Sequence, residues 1–186
     1  MNILGIAGSL RSGSHNAALL RAAAALAPEG VTVEEYRGLR EIPLFDADLD
    51  IDPPPVPVAD LRARIGAADG LLIATPEYNY GVPGVLKNAV DWASRPADSS
   101  VLRRKPVALM SAAPGAFGGV RAQLSLRQSL LWTDSDVVTK PEVMVFAVRQ
   151  RFDEDGNLVD EAVEALLRRL VDALADKVRQ RHPIPV

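Results

Sequence analysis

Short runs of apolar residues alternate along the chain with longer segments in which apolar residues recur every three or four positions. Uninterrupted runs are typical of strands buried on both faces of a sheet, and the wider spacing is typical of helices with one buried face. The runs predict strands over residues 2–7, 31–36, 70–75 and 106–111, with a fifth inside 140–148. The spaced segments predict helices over 17–27, 58–68, 85–94, 120–132 and 158–180.

This alternation predicts one α/β domain over residues 1–186, with a parallel sheet of five strands and helices on both faces. Residues 38–57 interrupt the alternation, because their prolines and aspartates leave no room for a regular element. The chain shows no linker long enough to divide it. We expect the short C-terminal tail, which contains His182, to be disordered.

Composition narrows the chemistry that the chain can perform. Cysteine is absent and only two histidines occur, so thiolate catalysis is excluded and a metal site is not expected. Any redox chemistry would therefore need a bound organic cofactor. A net charge of -3 argues against nucleic acid as a partner. The chain begins without the features of a signal peptide and has no membrane-spanning run, so we expect a cytoplasmic protein.

Candidate chemistry lies in the loop over residues 8–16, directly after the first predicted strand. In an open parallel sheet, ligands bind beyond the carboxyl ends of the strands. Serine hydroxyls, the Arg11 guanidinium and the start of a helix are groups that bind phosphate. The loop lacks the glycine patterns of dinucleotide-binding and ATP-binding loops. Taken alone, Ser14 or Asn16 could equally cap the helix while Arg11 remains in solvent.

Two further loops follow the third and fourth predicted strands. The loop over residues 75–84 contains two prolines and two glycines, which favour a rigid backbone, and Tyr78 and Tyr80 could form a flat wall. The loop over 111–119 is rich in small residues, which allow a ligand to approach the backbone closely. Each loop by itself is also compatible with a simple connector.

Together, the three loops resemble those of the NADPH-dependent FMN reductases, a family that includes bacterial chromate, quinone and azo-dye reductases. The resemblance lies in residues 8–16, in the Pro-Glu-Tyr-Asn motif at 76–79 with its helix to Trp92, and in 118–123. It extends through 140–142 and 152–156 and so covers nearly the whole chain. The family implies a flavodoxin-like, doubly wound sheet with the strand order 2-1-3-4-5.

The resemblance also implies roles for individual residues. The FMN phosphate is expected to contact Ser9, Arg11, Ser14, Asn16 and, as a further donor, His15. The isoalloxazine ring is expected to lie against Pro76, Glu77, Tyr78 and Asn79, with Ser111 and the loop to Gly115 bordering the ring or the ribityl chain. Family members are usually homodimers or homotetramers. Tyr80, Arg121 and Glu142 match positions that form a polar network between subunits in some relatives.

The activity implied is transfer of hydride from NADPH or NADH to FMN N5, followed by electron transfer to a small acceptor such as a quinone, an azo dye, chromate or free flavin. No side chain is then expected to act as an acid, base or nucleophile, because the cofactor carries the chemistry. One alternative is a flavin-binding carrier or sensor without NAD(P)H turnover. Another is an α/β enzyme that modifies nucleotides or sugar phosphates and uses the same phosphate loop.

Overall fold

The computed structural model describes residues 1–181, so the predicted tail with His182 lies outside the described residues. The strands of this part of the chain are β1 Asn2–Ala7, β2 Thr32–Tyr36, β3 Gly70–Ala74, β4 Pro106–Ala112, β5 Asp136–Val137 and β6 Val143–Val145. Its α-helices are α1 His15–Ala25, α2 Val56–Ala67, α3 Gly84–Ala93, α4 Val120–Trp132 and α5 Glu161–Arg181. None of the described helices is long and apolar enough to cross a membrane.

The strands form one parallel sheet in the order β2-β1-β3-β4-β5, and β6 also pairs with β4. The predicted parallel sheet, its order and its flanking helices are confirmed. One detail differs. The predicted fifth strand corresponds to β6, which lies inside residues 140–148, whereas the two-residue strand β5 comes before that segment and was not predicted. β5 pairs with the start of β4 and β6 with its end. Between them lies Pro141, which has no backbone N–H to donate to a neighbouring strand.

Side chains alternate between two cores on opposite faces of the sheet. From β1, Ile3 and Ala7 join the core under α1 and α5, whereas Leu4 and Ile6 join the core under α2, α3 and α4. Gly5 faces Leu20 of α1 so closely that a Cβ atom there would lie 2.8 Å from Leu20 Cδ1. The absence of a side chain at Gly5 therefore lets α1 pack directly onto β1.

The proline-rich segment is anchored to the helices of the second face. It contains two 3-10 turns, Gly38–Glu41 and Ala47–Leu49, before α2 begins at Val56. The Asn88 side chain on α3 accepts from the Phe45 N–H at 2.7 Å and donates to the Pro43 carbonyl at 2.8 Å. Arg62 on α2 pairs with Asp50 at 2.7 Å. Polar side chains of α2 and α3 thus replace the hydrogen bonds that a regular element would supply.

Candidate functional site

The three polar loops lie together at the carboxyl edge of β1, β3 and β4, the central strands of the sheet. The Ser9 hydroxyl lies 3.3 Å from the Tyr78 hydroxyl, which joins the first loop to the second. Asn16 joins the first loop to β4. The loop positions predicted from the sequence are therefore neighbours in space, around a crevice where the chain order of the strands reverses.

The first loop presents an unusual concentration of backbone donors. In the described residues, 1–181, no protein acceptor is found for the N–H groups of Ser9, Leu10, Ser12, Gly13, His15 and Asn16. The Arg11 side chain is exposed beside them. Ser14 is buried and caps α1, since its hydroxyl accepts from the Ala17 N–H at 3.2 Å. The donors, the cation and the positive end of α1 form a site suited to a phosphate group.

His15, the first residue of α1, lies at one side of this loop. Burial lowers the pKa of its imidazole, and the positive charges of Arg11 and Arg149 lower it further. Its ring is tilted against that of Phe152, with the ring centroids 6.0 Å apart. Arg149 comes from the segment after β6, and sequence reasoning missed it because nothing in the local pattern connects that segment with the first loop.

Asn16 is buried, and its side chain is engaged by the protein. Nδ2 donates to the Ala112 carbonyl and Oδ1 accepts from the Ala112 N–H, each at 2.9 Å. These two bonds hold the start of α1 against the end of β4. Its backbone N–H remains available on the loop side, so any contact of Asn16 with a ligand is expected to come from the backbone.

The second loop owes its shape to a tight turn over residues 78–81. Tyr78 and Gly81 exchange both backbone hydrogen bonds, at 3.1 and 2.9 Å. The two residues between them, Asn79 and Tyr80, have positive φ angles of 50° and 66°. This pair of left-handed residues is the type I′ pattern of two-residue hairpins. Asparagine tolerates it well, but tyrosine adopts it at a cost, and strained residues of this kind concentrate at functional sites.

Glu77 turns away from the crevice toward α4. Its carboxylate accepts from the backbone N–H groups of Arg121 and Ala122, at 3.0 and 3.4 Å, and pairs with Arg121 Nη1 at 2.9 Å. The side chain is only 13% exposed. Pro76 is buried, and Thr75 Oγ1 donates to its carbonyl at 2.9 Å. Tyr78, the aromatic residue of this motif, is 51% exposed.

The third loop is fixed to the sheet by hydrogen bonds of the buried Ser111 side chain. Ser111 is fully buried, and its hydroxyl donates to the Gly118 carbonyl at 2.5 Å while accepting from Gln123 Nε2 at 2.7 Å. Gly115 is exposed, and a Cβ there would meet nothing within 4 Å. Gly115 thus lies on the solvent-exposed part of the loop, whereas Ser111 is buried below the loop and holds it through the Gly118 carbonyl.

Sequence reasoning did not assign a role to Gln123 or to Phe117. Gln123 lies on the same face of α4 as Leu126 and Leu130, which are buried, so a polar residue at a core position was the available signal. Phe117 is 62% exposed, and the Arg121 guanidinium lies between its ring and that of Tyr80, 4.3 and 4.1 Å from the centroids. Arg121 therefore bridges the second and third loops at the rim.

Glu142 is not part of this cluster within the chain. It is exposed and pairs with Lys140 at 3.1 Å. Among residues 1–181, no group of three or more histidine, cysteine, aspartate or glutamate side chains is placed to hold a metal ion.

Comparison with known proteins gives consistent matches. The model of the NADPH-dependent FMN reductase family matches residues 1–149. An NAD(P)H-dependent FMN reductase of Pseudomonas aeruginosa is 44% identical over 180 residues, which cover 97% of this chain and 96% of that protein. A quinone reductase of Escherichia coli is 40% identical over 163 residues, covering 87% and 86% of the two chains.

Among solved structures, the flavoenzyme NAD(P)H:(acceptor) oxidoreductase FerB of Paracoccus denitrificans superposes with a TM-score of 0.87. It is 32% identical, and the match covers 96% of this chain and 97% of that one. The likeness therefore extends over the sheet, all three loops and the final helix.

Proposed function

The chain belongs to the family of NADPH-dependent FMN reductases, and we propose that it binds FMN in the crevice, takes hydride from NAD(P)H and reduces small acceptors of the quinone class. The observation that carries the proposal is the set of backbone N–H groups in the loop over residues 8–16 that have no acceptor within residues 1–181; this loop lies at the edge of β1. These donors fit a phosphate, the one charged group of FMN.

Of the helices that follow these loops, α1 and α4 differ at their first residues in the way that this assignment needs. At α1, the N–H groups of His15 and Asn16 have no acceptor within residues 1–181. At α4, the N–H groups of Arg121 and Ala122 already donate to the Glu77 carboxylate. We therefore assign the phosphate to the start of α1, with Ser9 and Arg11 as its further contacts and His15 beside it.

We assign the flat ring to the space between the second and third loops. Pro76, Tyr78 and Asn79 would border it on one side, and the loop from Ala113 to Gly115 on the other. Glu77 and Ser111 would contribute through their backbone and position, since their side chains are occupied within the protein. Exposed aromatic rings at the rim, those of Tyr78, Tyr80 and Phe117, offer flat surfaces to a nicotinamide or a quinone.

Bound FMN supplies the redox chemistry, accepting hydride from a nicotinamide and giving electrons to a second molecule. The residues of this chain bind and orient. Backbone N–H groups of the first loop hold the phosphate, and the rigid turn at Asn79 and Tyr80 keeps its neighbours in one position. The rim rings exclude water from the faces of flat ligands. No side chain is assigned a covalent or acid–base step.

The quinone class is favoured as acceptor by the names of the relatives, which include a quinone reductase. Azo dyes, chromate and free flavin are further acceptors that we propose for the same site. All of them would receive electrons from the same bound flavin, so we expect the site to select for access to the flavin more than for a particular functional group.

The defining experiment is an absorption spectrum of the purified protein after addition of FMN and desalting, recorded before and after anaerobic NADPH. We expect a flavin spectrum that remains with the protein, bleaches with NADPH or NADH and returns when a benzoquinone is added. Riboflavin, which lacks the phosphate, serves as the matched ligand and should bind much more weakly. Bound flavin that no nicotinamide reduces would instead indicate a carrier or sensor. Failure to bind flavin would assign the loop to another phosphorylated ligand.

We further propose that the protein works as a homodimer or homotetramer in the cytoplasm, where its nicotinamide co-substrate is made. Support for self-association comes from the outer face of α4. Leu124, Leu131 and Trp132 are 53, 78 and 89% exposed on this one helix, a concentration of large apolar side chains that a second copy could cover. Sedimentation velocity and cell fractionation test the two statements.

A further inference from the structure

We propose that the first turn of α4 holds the second and third loops at a fixed separation, with Glu77 and Gln123 as positioning residues for the flavin. The proposal rests on the assignment of FMN to the crevice. It concerns side chains that face away from the crevice and would act through the loops that they hold.

Glu77 ties the second loop to α4. Gly119 precedes the helix and has no side chain with which to cap it. Glu77, 44 residues away in sequence, supplies the missing cap by accepting from the Arg121 and Ala122 N–H groups. A carboxylate at a helix N-terminus is favoured by the helix dipole as well as by these bonds. Movement of α4 would therefore move the motif at residues 76–79 with it.

Gln123 ties the third loop to the same turn. It is 2% exposed, and its Nε2 donates to Ser111 Oγ and to the Val143 carbonyl, both at 2.7 Å. Ser111 passes the contact on by donating to the Gly118 carbonyl. One buried amide thus connects α4, β4, β6 and the loop, and loss of one member leaves buried polar groups without partners.

At Gly118 and Gly119, the backbone of the third loop packs directly on the strands, with no side chain between them. At Gly118, where φ is 58°, a Cβ would lie 2.9 Å from the Met144 carbonyl carbon. At Gly119, where φ is 87°, it would lie 2.8 Å from Ser111 Cβ. Since the backbone rests directly on the strands, the hydrogen bonds of Ser111 and Gln123 decide its height above them. The separation of the two loops is thereby set by residues 121–123.

The test compares Gln123→Leu, which keeps the volume and removes the donors, with Arg127→Met as the matched control. Arg127 also joins α4 to the sheet edge, donating to the Val138 carbonyl at 2.9 Å, but it lies about one turn further along the helix and does not contact the third loop. Each protein is prepared without flavin, its melting temperature is recorded, and FMN is titrated by quenching of flavin fluorescence. We expect about tenfold weaker FMN binding for Gln123→Leu and an affinity within about twofold of wild type for Arg127→Met.

Glu77 provides a second comparison in the same assay. Glu77→Gln keeps an oxygen that can accept from the helix N–H groups and should retain most of the FMN affinity, whereas Glu77→Ala should lose about tenfold or more. Rescue by the conservative variant, together with a restored shape of the bound-flavin absorption bands, separates positioning from general loss of stability.

FMN binding to Gln123→Leu within about twofold of wild type would overturn the proposal. So would equal losses of affinity in Gln123→Leu and Arg127→Met. If Gln123→Leu does not fold, Ser111→Ala removes the same contact from the strand side and must show the same selective loss. Absence of FMN binding by the wild-type protein would instead refute the proposed function, so the two failures are distinguishable.

Discussion

The side-chain amide of Asn16 and the backbone of Ala112 form a closed pair of hydrogen bonds, each 2.9 Å long, between residues 96 positions apart. We expect Asn16→Leu to lower the free energy of unfolding of the flavin-free protein by about 2–4 kcal/mol, because two buried backbone groups lose their partners. Urea denaturation measures this. Unchanged stability of the flavin-free variant, with weaker FMN binding, would show that the side chain serves the ligand instead.

Arg11 is expected to matter for cofactor retention and not for the rate of reduction. Arg11→Ala should weaken FMN binding by about tenfold or more, since a guanidinium forms charge-assisted bonds to phosphate. The bleaching rate of the flavin-loaded variant with NADPH should remain close to that of wild type. Arg37→Ala, which alters an arginine with a side chain 85% exposed and paired only with Glu35 in the described chain, is the control. Equal affinity in the Arg11 variant would refute the assignment.

The glycines of the third loop should respond differently to alanine. Gly119→Ala should cost about 2 kcal/mol or more, because it combines a positive φ with a contact of 2.8 Å to Ser111 Cβ. Gly115→Ala should leave the unfolding free energy unchanged, since a Cβ there meets nothing within 4 Å. A loss of FMN affinity in the Gly115 variant alone would place that residue against the cofactor. A stable Gly119 variant would contradict the loop geometry.

His15 should make the flavin-free protein less stable in mild acid. Burial and the charges of Arg11 and Arg149 lower its pKa in the folded state. The unfolded chain, with a histidine pKa of about 6.5, therefore takes up the proton first as the pH falls. The stability that the protein gains from keeping His15 neutral is fully present above that pH and declines as the pH drops toward the folded-state pKa of His15. Urea midpoints between pH 8 and 5.5, compared with those of His15→Gln, isolate this effect, which the variant should lack. Inorganic phosphate bound at the first loop should reduce this loss of stability.

The exposed face of α4 should decide the oligomeric state. Leu131→Glu combined with Trp132→Glu is expected to yield a smaller species in sedimentation velocity, because both side chains lie in the apolar cluster on this helix. Leu44→Glu changes an apolar residue that is 83% exposed elsewhere and should leave the oligomer intact. A sedimentation coefficient unaffected by the double change would exclude α4 as the contact.

The sequence predicted the fold well because its strongest signals are local. Buried strands such as residues 70–74 are continuous apolar runs, and α4 begins and ends at the predicted residues. The short strand β5 was not foreseen, because its two residues are defined only by pairing with the start of β4. α1 begins two residues earlier than predicted, since Ser14 is its cap.

The three loops meet at the carboxyl edge of the sheet, as the sequence predicted, but the directions of several side chains within them were not predicted. The sequence assigned Glu77, Ser111 and Asn16 to the ligand, and that assignment stays a prediction. Their polar atoms, however, bind α4, the Gly118 carbonyl and Ala112. Partners 7 to 96 residues away decide these directions, and no spacing rule along one chain reports them. The strain at Tyr80 was likewise unforeseen, because glycines stood nearby to take the turn.

The interrupted edge of the sheet has a consequence for behaviour at high concentration. A long, flat outer strand invites other chains to add to it and so to aggregate. Here β5 and β6 offer two and three residues, too few to template such growth. The opposite edge, β2, carries the charged side chains of Glu34 and Glu35, and charged residues on an edge strand oppose the addition of another chain. Neither border of the sheet is therefore a ready seed for intermolecular strands, and concentrated protein should resist fibril formation.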